Sequence, residues 1–145
     1  MLKDNWKITS KYHEKEISNF SFLITGGAGF IGSNIVKYLL DNGAKFVRVL
    51  DDMSNGYLKN LDPFRDDSRL EFIEGDITNE DTCIKVVKGI DFVSHQAALG
   101  SVPRSLKTPL LTHDANSTGF LNMLTASKNA GVKTFIYASS SSVYG

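Results

Sequence analysis

The sequence predicts an α/β fold, a doubly wound parallel sheet with helices on both faces, and three observations carry that prediction. Short apolar runs and amphipathic stretches alternate five times along the chain, the order a parallel sheet with crossover helices requires. A glycine-rich turn separates the first apolar run from the first helical stretch, as in sheets of Rossmann type. An acidic pair, Asp51-Asp52, closes the second run. Only Ser139 to Gly145 follow the fifth run, so the sheet is expected to be cut short after about five strands.

Each element has its own signal. Phe20 to Thr25 is a short apolar run ending in glycines and reads as a buried strand. Ile31, Ile35, Val36, Leu39 and Leu40 recur at helical spacing, and Asn42-Gly43 closes that helix. Phe46 to Leu50 is the second strand. Ser54 to Arg69 is polar, contains Pro63 and reads as a loop or short helix. Leu70 to Ile73 is the third strand. Thr78 followed by Asp81 predicts a capped helix through Val86 and Val87. Ile90 to Ser94 is the fourth strand. Pro109 suits the first turn of a helix that runs towards Asn129, with Gly131 beyond its end. Thr134 to Ala138 is the fifth strand, expected to form an exposed apolar edge.

The 145 residues are enough for one domain, and 41% of them are hydrophobic. Lysine plus arginine balance aspartate plus glutamate at 16 each. That zero net charge gives no electrostatic reason to expect nucleic acid or an anionic membrane as partner. Cys83 is the one cysteine, so no intrachain disulfide is expected, and a reducing cytoplasmic location fits. No apolar stretch is long enough to span a bilayer, and the first residues lack the apolar centre of a signal peptide. Residues 1–19 read as an extension, a solvated tail in preference to a short helix carrying Leu2 and Trp6. Residues 20–145 read as the folded domain.

Gly26, Gly29 and Gly32 stand at G-x-x-G-x-x-G spacing between the first strand and the first helix. One glycine permits the tight turn, one lets backbone approach a pyrophosphate, and one allows close helix–strand packing. The helix N-terminus then presents free N–H groups and the positive end of its dipole. No Lys-Ser/Thr pair follows, so this is not a Walker A loop. Asp51 lies 19 positions after Gly32, at the end of the second strand. A carboxylate there accepts both ribose hydroxyls of an adenosine and repels a 2′-phosphate, which favours NAD over NADP. Asp52 reads better as a solvated loop residue. Asp76, after the third strand, either faces an adenine amino group or helps start the next helix.

Four segments together, TGGAGFIGS at 25–33, GDI at 75–77, HQAALGSVPRS at 95–105 and SSSSVYG at 139–145, resemble the extended short-chain dehydrogenase/reductase family, in particular its nucleotide-sugar epimerases. HQAALGSVPRS and GFLNML at 119–124 are most similar to UDP-N-acetylglucosamine 4-epimerases. The resemblance implies an NAD site in which Gly26, Gly29, Phe30, Ile31 and Gly32 hold the pyrophosphate. Asp51 would hold the adenosine ribose, with Asn55 and Gly56 on its phosphate side, and Asp76 and Ile77 would flank the adenine. Ala97 and Ala98 would pass beneath the cofactor, with Asn116 close by in the long helix. Gly100 and Ser101 are implied sugar-side contacts. Ser140 matches the catalytic hydroxyl, with Ser141 and Ser142 facing a UDP-sugar substrate. His95 reads as a structural residue at a strand end rather than a general base. Tyr144 matches the motif tyrosine that is not catalytic.

The family's base is a tyrosine with a lysine four residues on, a spacing that puts both on one helical face. The lysine lowers the tyrosine pKa so that a phenolate can form. None of Tyr12, Tyr38, Tyr57 or Tyr137 has that lysine. A 4,6-dehydratase would need an acidic pair directly after Ser140, where Ser141 and Ser142 stand. Epimerase therefore ranks above dehydratase, and a reductase stays open. The chain alone is expected to be inactive, as the N-terminal part of a UDP-sugar 4-epimerase. The alternatives are half of a split enzyme, completed by a separate chain that carries the tyrosine–lysine pair and the sugar domain, and a non-catalytic NAD-binding or interaction module; a complementing chain or a homodimer is the expected protein partner.

Overall fold

In the computed structural model, which describes residues 11–144, five strands form one parallel sheet in the order β3-β2-β1-β4-β5. The strands are β1 Ser21–Thr25, β2 Phe46–Asp51, β3 Leu70–Glu74, β4 Phe92–His95 and β5 Thr134–Tyr137. Helix α1, Phe30–Asp41, crosses from β1 to β2, and α2, Glu80–Val86, crosses from β3 to β4. The order reverses at β1, with β2 on one side and β4 on the other. That places a topological switch point at the carboxyl end of β1, where sheets of this class hold ligands.

The pleat sorts the apolar strand residues between two faces. Leu23, Leu50 and Val93 point to one face and pack with Cys83 and Val86 of α2 and with Met123. Ile24, Val47 and Val49 point to the other and pack with Val36, Leu39 and Leu40 of α1. Both layers are closed to solvent: Leu23, Val36, Val47 and Met123 are fully buried.

The helical run between β4 and β5 is more divided than the sequence suggests. An unexpected helix, α3, covers Val102–Lys107, with Pro103 in its first turn. Helix α4, Pro109–His113, then passes through a π-helical turn, Asp114–Gly119, into α5, Phe120–Asn129. π-turns inside helices recur at functional sites, and this one carries Asn116.

Two expectations are corrected. Thr78 does not cap α2. The Asn79 side chain does, accepting from the Thr82 N–H at 2.9 Å, while Thr78 N–H donates to Asp76 Oδ1 at 2.8 Å. The extension is also not solvated throughout: Tyr12 and residues 14–16 are exposed, but His13 and Ile17 are half-buried. Tyr12 N–H donates to the Tyr38 hydroxyl at 2.7 Å, which meets His13 Nδ1 at 2.6 Å, and Ile17 packs against the α1-side core. Leu2 and Trp6 lie outside the described residues. β5 is the sheet edge expected, and Ile136 and Tyr137 on it are exposed.

Candidate functional site

A cleft opens at the switch point, walled by the ends of four elements. The glycine turn contributes Gly26 and Gly29, and the segment after β2 contributes Asp51, Asp52, Ser54, Asn55 and Gly56. The β3 end contributes Gly75, Asp76 and Ile77. The β4 end contributes Gln96, Ala97, Ala98 and Leu99, and Ala115 reaches in from the π-turn.

Sterics explain the glycines. Gly26 has a φ of 66°, in the left-handed region, and a Cβ on it would lie 2.8 Å from Ala97 N. A Cβ on Gly32 would lie within 2.7 Å of Gly27 Cα and closer still to the Gly26 carbonyl oxygen. Turn, helix and β4 end therefore meet at backbone contact, and the space left above the turn is shaped by main chain. Gly29 is the N-cap of α1, and no side chain caps that helix. The first intrahelical bond runs from Ser33 N–H to Gly29 O at 3.0 Å. The amides of Phe30, Ile31 and Gly32 precede it, as the unsatisfied donors of a helix start do. The side chains of Phe30 and Ile31 are exposed, and neither these two residues nor Gly32 lines the cleft, which Gly29 borders just ahead of them.

The turn is braced from behind through Ala28. Its N–H donates to Asp51 Oδ2 at 2.9 Å, and its carbonyl accepts from Tyr57 N–H at 3.0 Å and from Asn60 Nδ2 at 2.8 Å. Asp51 is buried, yet it lines the cleft. Its Oδ1 accepts from Met53 N–H at 2.9 Å. Two of the carboxylate's roughly four lone-pair sites are thus spent on fixing it, and two remain for a ligand. Met53 takes a φ of 60° to make this turn. Asp52 is a loop residue, as read from the sequence: it is exposed and accepts from Ser54 N–H and Oγ. Asp76 serves the turn before α2 through Thr78 and lines the cleft as well.

A buried polar network fastens β1 to β4 at this edge. Thr25 Oγ1 accepts from the N–H groups of Gln96 and Ala97, each at 3.2 Å. Oγ1 is also hydrogen-bonded to His95 Nδ1, 2.9 Å away. Burial pushes the His95 pKa down to about 4, and its ring stacks on Phe135. His95 is buried and held between Thr25 and Phe135.

Asn116 is matched to Leu99 at both ends. Its Oδ1 accepts from Leu99 N–H at 2.7 Å and its Nδ2 donates to Leu99 O at 3.1 Å. It shapes the cleft wall through Leu99 and is not itself in the lining. Ser101 Oγ caps α3 by accepting from Arg104 N–H at 3.3 Å, and Gly100 beside it is exposed. Ser140 is exposed just beyond β5, and Ser141 and Ser142 stand in a single 3-10 turn, Ser141–Tyr144. All follow β4 or β5 in the chain, and Gly100, Ser101 and Ser140 do not line the cleft. The structure thus gathers Gly26, Gly29, Asp51, Asn55, Gly56, Asp76, Ile77, Ala97 and Ala98 around one cleft. Sequence reasoning missed Thr25, Asn60 and Leu99. A hydroxyl ending an apolar strand is a signal for the first; the other two act through backbone contacts that leave none.

Comparison with known proteins gives a consistent picture. Residues 22–145 match the sequence profile described as "NAD dependent epimerase/dehydratase family". A UDP-glucose 4-epimerase of Lactobacillus helveticus is 39% identical over 125 residues, covering 85% of this chain and 36% of the relative. One of Klebsiella pneumoniae is 39% identical over 127 residues, covering 85% and 91%. The structure of a UDP-N-acetylglucosamine 4-epimerase from Methanobrevibacter ruminantium, in complex with UDP-N-acetylmuramic acid, superposes with a TM-score of 0.79 at 40% identity. That match covers 87% of this chain and 39% of the other.

Proposed function

The chain belongs to the NAD-dependent epimerase/dehydratase family, and from that premise we propose that it carries the NAD site and the serine arm of a UDP-sugar 4-epimerase. The observation that carries the cofactor assignment is the backbone-shaped cradle over Gly26 and Gly32, beside an uncapped helix start. A pyrophosphate fits such a place because free N–H groups and the helix dipole both favour anionic oxygens. Phe30, Ile31 and Gly32 would donate their amides to it, and Gly26 and Gly29 keep the approach clear. The pre-set Asp51 carboxylate would accept the two adenosine ribose hydroxyls, and a 2′-phosphate there would meet its negative charge. Asn55 and Gly56 would border that ribose, and Asp76 and Ile77 the adenine. Ala97 and Ala98 would floor the far half of the cleft, with Asn116 holding Leu99 beside them.

Bound NAD supplies a reversible hydride acceptor for sugar C4. The chain's part is to hold the sugar beside it. Ser140 would hydrogen-bond the C4 hydroxyl and help carry its proton. Gly100, Ser101, Ser141 and Ser142 would border the sugar of UDP-N-acetylglucosamine and UDP-N-acetylgalactosamine, or of UDP-glucose and UDP-galactose. Serines at 141 and 142 cannot supply the acid and base of a dehydration at ordinary pKa values, which favours epimerisation through a 4-keto sugar. No Tyr-x-x-x-Lys pair occurs in the 145 residues, so this chain by itself is expected to leave these substrates unchanged. A separate chain carrying that pair would have to supply it in trans; a second copy of this chain would not, since it lacks the pair as well.

Amide chemical-shift mapping tests the cofactor assignment. NAD added to the isotope-labelled chain should move the amides of Gly29, Phe30, Ile31, Gly32 and Ala97 in a saturable way. Shifts confined to other surfaces would refute it.

A further inference from the structure

We infer that Arg104 is a cofactor-binding residue that brings positive charge to the diphosphate, reaching across the cleft mouth and held there by Asn55. The inference rests on the NAD reading above. The residues lining the cleft include three carboxylates, Asp51, Asp52 and Asp76, and no lysine or arginine. A diphosphate brings two negative charges into those surroundings, and the helix start offers only about half a positive charge against them. Arg104 supplies what is missing. Its Nη2 donates to Asn55 Oδ1 at 3.1 Å, a bond that joins α3 to the segment after β2. Asn55 lines the cleft, so the guanidinium stands at its rim.

Two further features suit the role. The Arg104 backbone is fixed where the side chain leaves the helix, because its N–H is the one Ser101 caps. No carboxylate forms a salt bridge with Arg104 among the described residues, whereas Arg48 and Arg69 each have one. One N–H of the guanidinium fork is spent on Asn55, and the others remain for anionic oxygens. α3 itself buries no residue, so replacing Arg104 disturbs no core.

Calorimetric titration of NAD, ADP and adenosine into the chain and into Arg104→Gln and Arg104→Lys separates charge from architecture. Glutamine keeps a donor for Asn55 and loses the charge. Arg104→Gln should raise the Kd of NAD and of ADP roughly five- to tenfold, as for loss of one charge-assisted contact. Its Kd for adenosine, which has no diphosphate, should not change, and Arg104→Lys should fall between wild type and glutamine. Unchanged NAD and ADP binding in Arg104→Gln overturns the inference, as does an equal loss for adenosine. Failure of the wild-type chain to bind any of the three probes removes the cofactor reading itself.

Discussion

Replacing Asp51 by alanine should destabilise the chain even with no ligand present, because the carboxylate holds the glycine turn before it holds anything else. Ala28 is fully buried, and its N–H has Asp51 Oδ2 as acceptor. Removing that acceptor orphans a buried donor, at a cost of about 1–3 kcal/mol. Met53 N–H, half-buried, loses its bond to Oδ1 but can turn to water, and about 1 kcal/mol is the scale of that loss. Met53 also loses what holds it at a φ of 60°, a conformation that costs a non-glycine residue about 1 kcal/mol. The two lost hydrogen bonds sum to about 2–4 kcal/mol, and relaxation of Met53 offsets part of that. For a domain of this size each kcal/mol moves the Tm by about 2–4 °C, so Asp51→Ala should melt about 5–15 °C below wild type. Circular dichroism melts without nucleotide would measure it. Asp52→Ala is the control: Asp52 is exposed and tied only to Ser54, and its loss should move the Tm by no more than about 2 °C. Equal melting of the two variants would refute the bracing role of Asp51.

Three other outcomes follow from the same contacts. His95 takes a proton in the folded chain only near pH 4, against an ordinary value of 6.5. The unfolded chain takes it first as the pH falls, so stability present above pH 6.5 drains between 6.5 and 4, by at most about 1.4 kcal/mol per pH unit. Denaturant melts of His95→Gln should show a shallower loss across that window, and an identical slope would contradict the assignment. Cys83 is buried, donates to Ile77 O at 3.1 Å and has its pKa pushed up to about 11, chiefly by burial. Iodoacetamide at pH 8 should leave it unlabelled in the folded chain and label it fully in denaturant; native labelling at a free-thiol rate would contradict this. Gly32→Ala gains about 1 kcal/mol of helix propensity but drives a Cβ into the Gly26 carbonyl, and overpacking against backbone costs about 1–3 kcal/mol or more. The net should be a lower Tm in a thermal melt and weaker NAD binding, and a raised Tm would show that the turn yields.

The sheet was legible because its signals are local. Apolar runs such as Phe20 to Thr25 and glycines at turn ends need no tertiary information, and the five strands fall within a residue or two of their expected bounds. The glycine turn and Asp51 were legible for the same reason, since sequence spacing and spatial position coincide at a strand end. What local pattern leaves ambiguous came out differently. Thr78 and Asn79 are both good N-caps, and only the geometry of the turn held by Asp76 decides for Asn79. The segment from Ser101 to Gly119 carries Pro103 and Pro109 and too little buried surface to betray α3 or the π-turn. The tail's contact with Tyr38 joins Tyr12 and His13 to a residue about 25 positions away, and no periodicity reports a single docking contact. Asn116 and Ser101 show a further limit: the sequence marked them, while their hydrogen bonds to Leu99 and Arg104 show the work each does within the fold.

Competitive binding of NAD and NADP to the purified chain tests the central claim most directly. Saturable, one-site binding of NAD is expected, with NADP at least about tenfold weaker because its 2′-phosphate meets the Asp51 carboxylate. Absence of saturable NAD binding, or equal affinity for the two, would contradict it.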